Sequence, residues 1–139
     1  MRKTDRNLYD FNDVKLRNDD TSDVKNDKEL RSLKALSDET RVRILLLLEH
    51  EEACVCELMD LFKMTQPRIS HHLIMLREVG FLRSERRGKW NFYTLAHRTA
   101  DGINMRLFEV IRTSFRDKPV VKNDRQTFRE VTHRIRKSC

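Results

Sequence analysis

The residues of this chain best suited to chemistry are Cys54 and Cys56, two thiols separated only by Val55. Thiolates are soft donors, and a close pair can grip one soft ion. In a regular helix, residues two apart project about 200° from one another, so a shared ion requires the turn carrying them to be unwound or reshaped. Ligand binding and helix geometry would then be coupled: an ion favouring the reshaped turn opposes whatever the undistorted helix does. The same residues equally suit a buried apolar role, since free cysteine is commonly structural. A disulfide between them would close a very short, strained loop, which ranks oxidation lower. Cys139 is the remaining thiol. His71 and His72, adjacent and so about 100° apart on a helix, do not converge on one ion. No His or acid stands at recognisable catalytic spacing from a nucleophile, and no glycine-rich phosphate loop occurs, so neither an enzyme nor an organic cofactor is expected.

A second set of side chains suits nucleic acid. In TQPRISHHLIMLREVG, Gln66 and Arg68 can make paired bonds to adenine and guanine edges, Thr65 and Ser70 suit phosphate oxygens, and His71 and His72, in the same first turns, are DNA-facing or packing residues. Further on, Arg83, Arg86, Arg87 and Lys89 surround a turn with only Glu85 as counter-charge, which suits phosphate or minor-groove contact. Each cluster taken singly also fits a solvated polar surface.

These groups need elements to position them. Leu30, Leu33, Lys34 and Leu36 predict a first helix ending at Ser37, and Asp38 can cap a second through RVRILLLLEH, whose unbroken apolar run predicts burial on several sides. Val55, Leu58, Leu61 and Phe62 predict a short third helix from about Cys54. Thr65 as N-cap, Pro67 in the first turn and Gly80 at the end delimit a fourth, which completes a helix-turn-helix. After Gly80, FLRSERRGKWNFYTL predicts two strands around Arg87, Gly88 and Lys89, with Trp90, Phe92 and Tyr93 in the core: a wing. A last helix from about Thr99 to Phe115 carries Ile103, Leu107, Val110 and Ile111, more apolar surface than a small core covers, and predicts pairing with its twin. The fold class expected is mainly α with a small β-hairpin, a winged helix-turn-helix homodimer.

Residues 1–27 read as a polar arm, 28–116 as the DNA-binding and dimerisation domain, and 117–139 as a basic tail in which Phe128, Val131 and Ile135 share one helical face. Formal charge of +7 over 139 residues, 37% of them charged, favours polyanionic partners. With no apolar run of bilayer length, no apolar core in MRKTDRNLYDF and an odd number of cysteines, a cytoplasmic protein without membrane partners or disulfide framework is expected.

The stretch from Leu33 to Leu95, above all SDETRVRIL, ACVCELM, SHHLIMLREVG and RRGKWNFYTL, resembles the ArsR/SmtB family of winged-helix metalloregulatory repressors, in particular its arsenic-responsive branch. The resemblance implies a dimeric repressor, paired through its terminal helices, that leaves double-stranded operator DNA when As(III) or Sb(III) binds Cys54 and Cys56. Family members of that type carry a third cysteine three residues after the second, where this chain has Met59. Cys139, a small exogenous thiol or hydroxide would complete the set. Cadmium and lead sensors of the family have N-terminal cysteines, absent before Cys54, and zinc sensors use a histidine on the last helix, where this chain offers Asp101 and Glu109 only. The competing reading is a winged-helix regulator answering to thiol redox state or another signal.

Overall fold

Two aspartates set the first two helices. Asp27 accepts from the Leu30 N–H at 3.1 Å and opens α1, Lys28–Ala35, and Asp38 accepts from the Arg41 N–H at 3.0 Å and opens α2, Glu39–Leu48. Both satisfy amide donors that have no partner inside the helix. The computed structural model describes residues 27–96 and 102–138. The arm before residue 27, the start of the last predicted helix at Thr99, and Cys139 lie outside them. The elements that follow are β1 (Ala53–Cys54), α3 (Val55–Phe62), α4 (Gln66–Glu78), β2 (Leu82–Arg87), β3 (Trp90–Leu95), α5 (Gly102–Phe115) and α6 (Pro119–Ser138).

Five consecutive residues of α2, Ile44 to Leu48, are at most 2% exposed. A helix can bury such a run only when covered all round, and α4, α5, α6 and β3 do so. Against it pack Leu58 from α3 and the Ile69, Leu73, Leu76 stripe of α4. The α3–α4 connection turns at Lys63, whose φ of 54° ends α3 in the left-handed region. Thr65 is the N-cap residue of α4 and Pro67 lies in its first turn, while Gly80, at φ 93°, follows its end.

The wing is a two-residue hairpin. Arg87 pairs with Trp90, leaving Gly88 at φ 63° and Lys89 as the turn, the glycine-first arrangement that matches the strands' twist. The sheet has a third strand that periodicity did not announce: Ala53 and Cys54 pair with Tyr93 and Phe92, giving the order β1-β3-β2.

Residues 119–138, set apart in the sequence as a basic tail, form a twenty-residue helix whose Val121, Phe128 and Val131 belong to the core. Arg43 of α2 anchors it with two 2.8 Å bonds to Asp124, which is 4% exposed. A buried carboxylate needs such a partner, and a fork of two parallel bonds is the strong form of it.

Polar groups also fix α4. On α5, Asn104 accepts from Ser32 Oγ at 2.7 Å and donates to the Val79 carbonyl at the end of α4 at 2.8 Å. Arg41, 8% exposed, donates to the Ala35 carbonyl at 2.6 Å and faces His72 Nδ1 at 3.2 Å. A guanidinium can only donate, so Nδ1 accepts and the His72 proton sits on Nε2. Burial, reinforced by Arg41, His71 and Arg68 and opposed by Asp38, depresses the His72 pKa below 6.5. The unfolded chain therefore takes up this proton first, and stability falls as pH drops from 6.5 through the depressed folded value. In urea titrations between pH 7.5 and 5, His72→Asn should flatten that loss; an unchanged pH profile would remove His72 from the account.

Candidate thiol site and nucleic-acid interface

Cys54 does not lie in the helix. It is the N-cap of α3 with φ −99° and ψ 166°, held extended by β1 pairing to Phe92, while Cys56 lies in the first helical turn. The two sulfurs stand 3.1 Å apart as free thiols. The sequence argument required an unwound turn; the strand supplies the change of direction instead, so the pair converges with α3 intact. At a metal–sulfur bond of about 2.3 Å and inter-ligand angles of about 90–110°, two sulfurs on one ion sit about 3.3–3.8 Å apart. Capture therefore asks the pair to open by only a few tenths of an ångström.

Cys54 occupies the place a serine takes in a capping box. The Glu57 carboxylate accepts from the Cys54 N–H at 3.0 Å, and the Glu57 backbone N–H faces the sulfur. Glu57 is fully buried, and Arg136 of α6 neutralises it through bonds of 2.7 and 3.0 Å. That pairing raises the guanidinium pKa of Arg136. Arg136 also donates to the Glu52 carbonyl and lies over the Phe92 ring. Burial, then the Cys56 thiol and the negative Glu57, push the Cys54 pKa up to about 12. At neutral pH Cys54 is thus a protonated thiol. Sequence reading missed both partners of this site. Glu57 had a signal, since it follows Cys54 at capping-box spacing; Arg136 had none.

Among the described residues, no cluster of three His, Cys, Asp or Glu suited to a metal occurs. Met59, three residues after Cys56, packs against the core.

Of the residues read as DNA-facing, Thr65, Gln66, Arg68 and His71 are exposed along the start of α4. Ser70 is half-buried and accepts from Gln66 Nε2 at 3.2 Å. His72 departs from that set: its side chain is 11% exposed and turns inward to Asp38 and Arg41. In the wing, Arg83, Arg86 and Lys89 are exposed, with Lys89 over Trp90. Arg87 is drawn back to its base, 2.6 Å from Glu52 and stacked 4.0 Å over Phe92. Arg77, not singled out by sequence, ties α4 to Ser84 of the wing at 3.2 Å.

Residues 38–84 match the family model described as bacterial regulatory protein, arsR family. An arsenic resistance transcriptional regulator of Pseudomonas putida is 49% identical over 63 residues, 45% of this chain and 49% of that protein, so the chain spans about half of that relative's length. An arsenical resistance operon repressor of Staphylococcus xylosus is 40% identical over 88 residues, 63% of this chain and 84% of the relative. Among solved structures, the homodimeric winged helix-turn-helix DNA-binding domain of a possible ArsR-family transcriptional regulator from Mycobacterium bovis superposes with a TM-score of 0.54 at 25% identity, over 66% of this chain and 82% of that one. Such relatives are transcriptional regulators, not enzymes. Among the described residues, no helix is long and apolar enough to cross a membrane.

Proposed function

Because this chain belongs to the arsR family of bacterial regulatory proteins, we propose that it is a dimeric repressor that leaves operator DNA when As(III) or Sb(III) joins Cys54 and Cys56. The observation that carries this is the 3.1 Å thiol pair at the start of the first helix of the helix-turn-helix. Two chemical arguments support a metalloid over a divalent cation. A divalent metal needs thiolates and must expel protons from its ligands, which is costly at a thiol whose pKa is about 12. Arsenous acid is neutral and condenses with protonated thiols, each S–H hydrogen leaving with an arsenic hydroxyl as water. The raised pKa also disfavours oxidation, because the thiolate is the reactive form.

The route to DNA release is short. Cys54 is paired in backbone register with the wing and Cys56 belongs to α3, which packs on α4, so opening the sulfurs strains the wing relative to the helix-turn-helix. Linkage makes that antagonism mutual. Cys139 is our candidate third ligand: it directly follows α6, whose Arg136 contacts Glu57 beside Cys54. An exogenous thiol or hydroxide is the alternative. Leu33 on α1 and Met105 and Val110 on α5 are 50%, 41% and 61% exposed, and this exposed apolar surface supports pairing of the terminal helices. We assign 28–116 to DNA binding and dimerisation, with α6 locked onto it.

Fluorescence anisotropy on the DNA upstream of its own gene, under reducing conditions, tests the reading. Arsenite and antimonite should release the protein, cadmium and zinc should not, and Cys54→Ser and Cys56→Ser should each abolish the response. DNA binding that no metalloid perturbs would sink the sensor assignment. On the same DNA, Arg68→Ala should cost about 1–3 kcal/mol of specific binding, whereas Lys89→Ala should mainly lower the salt slope. Equal losses for Arg68→Ala on specific and random DNA would refute base reading.

A further inference from the structure

Helix α6 carries six cations and two acids, and so four of the chain's seven net positive charges on 20 of its 139 residues. It lies wholly beyond residues 38–84, which match the family model. Its charges divide into two groups. Some reach back to the protein: Asp124 is held by Arg43, Arg136 by Glu57 at the start of α3, and Arg134 by Asp60 further along that helix. Opposite the core-facing residues Val121, Phe128 and Val131 lie Lys122, Gln126, Arg129, His133 and Lys137, all exposed. Their spacings of three and four residues keep them on one stripe, which runs about 22 Å at a rise of about 1.5 Å per residue. Among the described residues, Lys122, Arg129 and Lys137 have no hydrogen-bond or ion-pair partner, and Glu130 is the only exposed acid of α6.

A row of cations on a rigid helix fits a polyanion with regularly spaced charges, and its position favours duplex DNA. α6 packs chiefly on α3 and α2, whereas α1 and α5, the helices assigned to dimerisation, pack on each other. The first helix of a helix-turn-helix crosses the DNA backbone while the second enters the major groove. α6 therefore extends the side of the motif that meets phosphates, away from the dimer axis. We propose that the exposed stripe of α6, through Lys122, Arg129 and Lys137, binds backbone phosphates of the DNA flanking each half-site. Such contacts position the protein without reading sequence, and each neutralised phosphate releases condensed counterions, which makes the added affinity steeply salt-dependent. The proposal rests on the reading of the chain as a DNA-binding dimer and adds a third surface to α4 and the wing.

Hydroxyl-radical footprinting and salt titration of the full reduced chain, on the DNA upstream of its own gene, test this. In the parent, backbone protection should extend beyond the outer end of each half-site. A triple variant, Lys122→Gln with Arg129→Gln and Lys137→Gln, should lose that outer protection and keep the inner. Its log–log salt slope should fall by about 2–3, since each phosphate contact contributes about 0.9. Between about 50 and 200 mM salt the parent should thus lose about 15–40-fold more affinity than the triple variant. Gln126→Lys adds a cation in the middle of the stripe and should steepen the slope by about 1, a test that stands even if the triple variant misfolds. An outer boundary identical in parent and triple variant overturns the proposal, even where the slope falls, because a general loss of charge flattens the slope without moving the boundary. So does a slope that neither variant moves. Either result leaves the repressor reading standing, whereas failure of the parent to bind that DNA overturns both.

Discussion

Truncating Phe128 to alanine is expected to lower the unfolding free energy by about 3–5 kcal/mol. Phe128 is 1% exposed and among the largest fully buried side chains, yet it comes from the last helix, beyond the helix-turn-helix and wing. A typical domain has about 5–15 kcal/mol in total, so the variant should be close to unfolding. Urea denaturation at fixed protein concentration reads the effect, with Glu130→Ala on the exposed side of α6 as a control expected within about 0.5 kcal/mol of the parent. A Phe128 loss below about 1 kcal/mol would mean that α6 does not complete the core.

Arg136→Met should have the next largest effect. It leaves the Glu57 carboxylate buried without its counter-ion, a change that costs about 3–5 kcal/mol when both partners are fully enclosed. Glu57 is enclosed, but the Arg136 side chain is 44% exposed, so water replaces part of what is lost and about 2–3 kcal/mol is expected. The double variant Glu57→Gln, Arg136→Met should recover most of that loss, because no orphaned charge remains. A double variant as unstable as the sum of its parts would show that the two side chains act independently.

The parts of this fold that were legible in sequence are those whose causes are local. Asp38, Thr65 and Gly80 mark helix ends because caps and left-handed turns are decided within a few residues, and the Ile44–Leu48 run announces a central helix because nothing else can bury it. The apolar face of α6 was visible at Phe128, Val131 and Ile135. Its docking was not, because it is secured by Arg43 to Asp124 and Arg136 to Glu57, pairs 81 and 79 residues apart. The thiols were identified by type and spacing, but their convergence was hidden for a related reason. A two-residue strand has no periodicity of its own; Ala53 and Cys54 are extended because Tyr93 and Phe92 lie alongside. For His72, which the sequence allowed to face DNA or to pack, the structure favours packing, and a signal existed: it stands three residues from Ile69, at the edge of the buried stripe continued by Leu73 and Leu76.

The strand order β1-β3-β2 places the wing's second strand between its first and the segment that carries Cys54. For protein engineering this means that the thiol pair and the wing are not separate cassettes. Grafting Ala53–Glu57 alone into another winged helix would leave Cys54 without the neighbour that holds it extended, so the smallest portable unit also contains Trp90–Leu95 and a counterpart of Arg136. Conversely, under the proposed function, exchanging the hairpin to redirect operator choice should retune the inducer response, and a library varied at the wing should be screened for both properties together.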